Sequence, residues 1–152
     1  MQIEKKLQEM GIEIKAPAVP IGNFVSFKRA GNMVYLSGAG PTDGQTPLFT
    51  GVLGADVTIE EGYQAARLTA VNLLHNLKAA IGDLDNVVQI VKLLCFVRCT
   101  AEFASQPAVM NGASDLLIEV FGEKGRHARS AIGTNALPMN IPVEIEMIVE
   151  VK

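Results

Sequence analysis

The segment Val143–Val151 constrains the fold more than any other part of the chain. It reads Val-Glu-Ile-Glu-Met-Ile-Val-Glu-Val, with apolar residues at 143, 145, 147 and 149 alternating with Glu144 and Glu146. Successive side chains on a strand point to opposite faces, so this is a strand with one dry face and one charged face. It demands an apolar layer on one side only. Glutamates on the other side are either solvated or paired across a site.

The rest of the chain supplies that layer and the neighbouring strands. Val87 to Thr100 is a long β-branched and apolar run, which reads as a central strand buried on both faces. Ala128–Thr134 reads as a further strand, with Arg129 among small residues. Phe24–Phe27 and Met33–Ser37 read as two strands joined by a turn at Ala30-Gly31-Asn32. Gly38–Gly54 is rich in Gly, Pro and Thr and reads as a loop, with a short strand near Gly51–Leu53. Thr58-Ile59-Glu60-Glu61 is a capping box. The helix it opens runs to about Ile81, with Tyr63, Ala66, Ala70, Leu73, Leu74 and Leu77 on one stripe, and Gly82-Asp83 ends it. A second helix starts near Pro107, continues through Leu116, Leu117 and Val120 to Phe121, and leaves by residues 122–125. Residues 1–15 read as a short amphipathic helix on Ile3, Leu7 and Met10.

At 152 residues the chain is one domain, spanning 1–152 with 1–20 as an N-terminal helix and linker. Strand–helix–strand connections are right-handed, and two of equal hand lay both helices on one face of a mixed sheet. The expected class is α+β. The other face is left uncovered in a chain that is 49% hydrophobic, which predicts that copies of the chain cover it.

Several function classes are disfavoured. The formal net charge is −3, against the basic footprint of a nucleic-acid binder, although Lys124, Arg126, His127 and Arg129 could form a local patch. No window reaches the ~18 apolar residues of a membrane span, and the first residues do not read as a secretory signal. Cys95 and Cys99, if on one strand, lie ~13 Å apart, too far for a disulfide. They read as buried thiols in a reducing, cytoplasmic setting. Two histidines without clustered cysteines give no metal-ligand spacing.

Arg129 is the leading candidate for chemistry, because a guanidinium fork holds a carboxylate through two parallel hydrogen bonds. The competing reading is a structural ion pair with Glu144 or Glu146 across neighbouring strands. Spacing alone does not choose between those glutamates. Gly38 follows Ser37 at a strand end, where a ligand could approach the backbone or an ordinary turn could form. Asn111 reads equally as a site residue or a helix-surface residue. Tyr35 and His127 receive no role.

The order of these pieces carries a resemblance. Arg129-Ser130, Leu137-Pro138 eight residues on, and Val143-Glu144-Ile145-Glu146 follow Gly31-Asn32-Met33-Val34-Tyr35-Leu36-Ser37-Gly38, the Val91–Val97 strand, Phe103 and Asn111-Gly112. Together, over roughly Ala16 to Lys152, they resemble the Rid (YjgF-like, reactive intermediate deaminase) family. The resemblance implies a chorismate-mutase-like α+β fold and homotrimers with sites in the clefts between subunits. It implies hydrolytic deamination of reactive 2-imino and enamine acids to 2-oxo acids and ammonia, with no cofactor. On that pattern Arg129 grips the substrate carboxylate and Glu144 positions a water. Phe24, Ser37, Gly38, Asn111 and Ala131 bind around them. Phe24 stands where a tyrosine is common, Ala39 where glutamine is frequent and Ala131 where cysteine is frequent. These losses keep open a non-catalytic binder of small carboxylate metabolites. The family is also known as endoribonuclease L-PSP or translation inhibitor, a reading the acidic charge balance weighs against.

Overall fold

The computed structural model describes Met1–Lys152. Its elements are α1 (Gln2–Glu9), β1 (Phe27–Ala30), β2 (Met33–Ala39), the hairpin β3 (Thr42–Asp43) and β4 (Thr46–Pro47), α2 (Ile59–Ile81), β5 (Val87–Arg98), α3 (Gln106–Phe121), β6 (Ala128–Thr134) and β7 (Val143–Val151). Five strands form one mixed sheet in the order β1-β2-β7-β5-β6. β7 runs antiparallel to both β2 and β5, and β5 runs parallel to β6. α2 and α3 pack together on one face, giving the expected α+β architecture.

The alternation in β7 sets that arrangement. Val143, Ile145, Met147, Val149 and Val151 are buried. In register with them on β5 lie Val97, Cys95 and Leu93, also buried. These rows share one core with Ala66, Ala70, Leu73, Leu74 and Leu77 of α2 and with Val109, Ala113 and Leu117 of α3. The capping box of α2 is formed: the Glu61 N–H donates to Thr58 Oγ1 at 3.1 Å and the Thr58 N–H to Glu61 Oε1 at 3.2 Å. Such a cap contributes about 1 kcal/mol, whereas each buried leucine contributes about 1.5–3 kcal/mol. The buried stripe therefore holds α2, and the cap sets where it starts. Gly82 ends it at φ 78°.

Four local expectations are corrected. β1 is Phe27–Ala30 rather than Phe24–Phe27, because the two-residue turn at Gly31-Asn32 pairs the residues that flank it, Ala30 with Met33, and the ladder runs back from there to Phe27. β5 is not the middle strand, and its outward residues are not covered within the chain: Val88 and Gln89 are exposed and Leu94 and Phe96 half-buried. Its apolar character on both faces anticipates a cover the single chain lacks. The stretch Gly38–Gly54 holds the β3–β4 hairpin, while Leu53 makes only isolated bridges, to Val57 and Cys99. The N-terminal helix ends at Glu9. It docks through fully buried Leu7 and through Asp85, whose carboxylate accepts from the N–H groups of Gln2 (2.8 Å) and Ile3 (2.9 Å). No helix is long and apolar enough to cross a membrane.

α2 and α3 approach closely at Gly112, where a Cβ would overlap the carbonyl oxygen of Tyr63. Backbone cannot rotate away as a side chain can, so Gly112→Ala must push the helices apart. It should cost about 1–3 kcal/mol, read as a lower urea midpoint at an unchanged m-value. An unchanged midpoint would show that the helix pair yields freely.

Candidate functional site

Arg129 lies opposite Leu93 in the parallel β5–β6 ladder, and Leu93 is buried beneath the helices. Arg129 therefore projects to the helix-covered face, beside α3. Its Nη1 donates to Asn111 Oδ1 at 3.0 Å and to Ser114 Oγ at 3.0 Å. Asn111 and Ser114 are three residues apart, so the helix presents them together. Both Nη1 hydrogens are thereby taken. Arg129 joins none of the chain's ion pairs. Its Nε and Nη2 make no hydrogen bond, and that edge is the one suited to a carboxylate. Arg129 helps line a cleft of about 250 Å³ together with Asn111, Ser114, Asp115 and His127. Ala131, two residues on, shares this face and packs against the core beside Cys95. Burial pushes the Cys95 thiol up to about 12, with Arg129 opposing that shift, so the thiol is inert.

Glu144 lies on the opposite face, in register with Phe96. Burial lifts its carboxyl above the usual range, and the nearby charge of Glu146 adds to this. A Cβ at Gly38 would sit 2.9 Å from Glu144 Oε2. The close approach that glycine permits here places the Glu144 carboxylate of the same chain against the Gly38 backbone. The loop after β2 is pinned to α2 by Asn72, whose Nδ2 donates to the carbonyls of Gly40 and Thr42, each at 2.9 Å.

The same open face carries a larger cleft of about 610 Å³, walled by Phe24, Tyr35, Ser37, Lys92 and Glu146. Phe24 is 53% exposed. It is held just before β1, where Ser37 Oγ donates to the Val25 carbonyl at 2.7 Å and the Ser37 N–H to that of Ser26 at 2.9 Å. Ser37's hydroxyl is thus engaged by its own chain.

The candidates fall into two groups. Arg129, Asn111 and Ala131 share the helix-covered face at the β6 edge. Phe24, Ser37, Gly38 and Glu144 share the open face. The ion-pair alternative for Arg129 is overturned: β5 stands between β6 and β7, and the arginine and the glutamates point to opposite sides. Two residues went unassigned in the sequence. Ser114 sits 8% exposed on α3, and His127 joins it through Nε2 at 2.9 Å. The spacing of Ser114 from Asn111 was the only available signal. For His127 there was none beyond its place two residues before Arg129.

A family model described as "YjgF/chorismate_mutase-like, putative endoribonuclease" matches residues 4–151. The chain belongs to this family. Among its relatives, protein TCP17 of Trypanosoma cruzi is 43% identical over 150 residues, covering 98% of this chain and 94% of TCP17. The crystal structure of Atu1372 from Agrobacterium tumefaciens superposes with a TM-score of 0.91 at 43% identity, covering 99% of this chain and 92% of that one. A Shewanella oneidensis structure named "a putative endoribonuclease" superposes with a TM-score of 0.94 at 34% identity, covering 98% of this chain and 99% of that one.

The environment of Glu144 in this YjgF-like chain has a measurable cost. Its folded-state pKa is raised above the ordinary value of 4.5, so its stabilising contribution is fully present below that value and is lost as pH rises through the folded pKa. Glu144→Gln, which carries no charge at any pH, should raise the urea midpoint at pH 7, and the gain should vanish below pH 4.5. A midpoint at pH 7 below that of the wild type would contradict this.

Proposed function

We propose that the chain hydrolyses small 2-imino carboxylates and their enamine tautomers to 2-oxo acids and ammonia, in a site shared between copies. The observation that carries this is the unpaired Nε–Nη2 edge of Arg129, aimed by Asn111 and Ser114. An arginine held by neutral partners and left without an acid is a receptor for an external carboxylate.

The reaction asks little more of the protein. An imine carbon is already electrophilic. Water adds to it, the nitrogen takes a proton, and the resulting carbinolamine expels ammonia as its hydroxyl becomes the carbonyl. The site must hold the substrate in line with a water and accept that water's proton. Glu144 suits the second role, since a carboxyl lifted by burial is a stronger base than a solvated one. Phe24 offers an apolar wall.

Within one chain Arg129 and Glu144 cannot reach a common substrate, because the sheet lies between them. The β6–α3 edge of one copy must therefore meet the open face of another. Phe24, Val25 and Tyr35, exposed by 53%, 58% and 46%, give that face an apolar surface to cover. We assign a homotrimer, following the family resemblance.

The second reading is binding without turnover. It is favoured by Phe24, which lacks a hydroxyl, and by Ser37, whose hydroxyl is bound to Val25. The −3 net charge and the absence of an acid–base pair beside a basic stripe disfavour ribonuclease chemistry.

The test is imine hydrolysis, with an amino acid oxidase generating the imine and semicarbazide competing for it. Wild-type protein should lower semicarbazone formation. Arg129→Ala should lose about 100-fold in kcat/KM, or about 3 kcal/mol. Glu144→Gln should also be impaired. Co-assembled with Arg129→Ala, it should recover activity, since one pairing restores an intact Arg129 and an intact Glu144 to the same cleft. Absence of recovery would refute the shared site. No turnover combined with saturable 2-oxo acid binding would establish the second reading.

A further inference from the structure

His127 and Ser114 lie behind Arg129 in the smaller cleft, and their contacts have a determined direction. His127 Nδ1 stands 2.7 Å from the Gly125 carbonyl oxygen. A carbonyl only accepts, so Nδ1 carries the ring hydrogen and Nε2 of the neutral ring is an acceptor. Ser114 Oγ, 2.9 Å from Nε2, must then donate its single hydrogen there. Its lone pairs remain for Arg129 Nη1 at 3.0 Å. The second Nη1 hydrogen goes to Asn111. One ordered chain runs from Arg129 through Ser114 and His127 to the Gly125 carbonyl.

We infer that Ser114 and His127 are positioning residues that aim the free edge of Arg129, and that protonation of His127 undoes this aim. The inference rests on Arg129 as the carboxylate receptor. An imidazolium carries a hydrogen on Nε2 as well. Ser114 then accepts from His127 through one lone pair, which leaves a single lone pair for Arg129 Nη1 and turns the hydroxyl hydrogen away from its former acceptor, so the ordered donor chain that orients Ser114 towards the guanidinium is broken. A second cation also appears beside Arg129.

The surroundings do not relieve that clash. β6 brings Arg129 itself. α3 brings Asp115, whose carboxylate accepts from the Tyr63 hydroxyl of α2 at 2.7 Å. The segment that leads into β6 brings Lys124 and Arg126, the latter paired with Glu123 at 3.0 Å. Burial holds His127 below its ordinary 6.5; the Gly125 carbonyl opposes this, and the charge of Arg129 adds to it. His127 is therefore neutral at pH 7 and becomes charged only as pH falls through the lowered value.

The experiment uses the full chain and two independent readouts. In nitrogen-15 histidine spectra at pH 7.5, His127 should be the Nδ1–H tautomer, and Ser114→Ala should move its titration. In the imine assay, wild-type KM should rise as pH falls through that titration while kcat changes little. Ser114→Ala and His127→Leu should each raise KM about tenfold at pH 7.5 and flatten the acid-side rise. Ser114→Thr, which keeps the hydroxyl, should restore both. The double variant should be no worse than either single one, since both break the same chain. An Nε2–H tautomer, or an unaltered KM profile in His127→Leu, overturns the inference. Failure of the carboxylate reading looks different: Arg129→Ala would leave KM unchanged, while the tautomer and the response of His127 to Ser114→Ala would still report on the hydrogen-bonded chain.

Discussion

The antiparallel ladders on either side of β7 decide everything else in this molecule. They set Met147 beside Leu36 and Leu93, so the apolar row of three strands lies under the helices. A slip of one residue would turn that row outward and carry the glutamates into the core. The same register governs β6 at one remove. Leu93 is buried, Arg129 stands beside it, and the arginine is thereby committed to the helix side. Glu144 is committed to the other side by Val143 and Ile145.

The consequence for charge is unusual. Arg129 has neutral partners only, and Glu144 has another carboxylate for its charged neighbour. Within one chain the sheet lies between the two, so they cannot close on each other as an ion pair, and Arg129 keeps an edge free for an external carboxylate. Asn111 and Ser114 satisfy one nitrogen of the guanidinium without consuming its charge.

What the sequence disclosed was local. The capping box at Thr58, the stop at Gly82 and the bounds of the last two strands follow from residues within a few positions of one another, and the structure has them where they were expected. The relation between Arg129 and Glu144 was not legible, because it depends on which strand lies between them and on a parity carried across two ladders. Neighbours in sequence suggested neighbours in the sheet, and β5 intervenes. Ser114 was hidden by its company: Ala113, Leu116 and Leu117 made that side of α3 look like plain core. Gly38 was legible as a place of close approach, but which group approaches could not be read without the bulge between Leu36 and Ala39 that re-aims the strand.

The position of β7 also bears on how the chain comes to fold. Its partners are Met33–Ala39 and Val87–Val97, so the middle of the sheet is closed by the most distant pairings in the chain. Such contacts carry a large loop-closure cost before they return any burial. During synthesis the strands on either side emerge first and face each other across a vacant slot. A nascent chain thus holds two unpaired edges and an open hydrophobic layer until its last strand arrives, a state prone to pairing with the wrong partner. The strand that closes the sheet is the last of the seven in chain order, so the central layer is completed only when β7 docks.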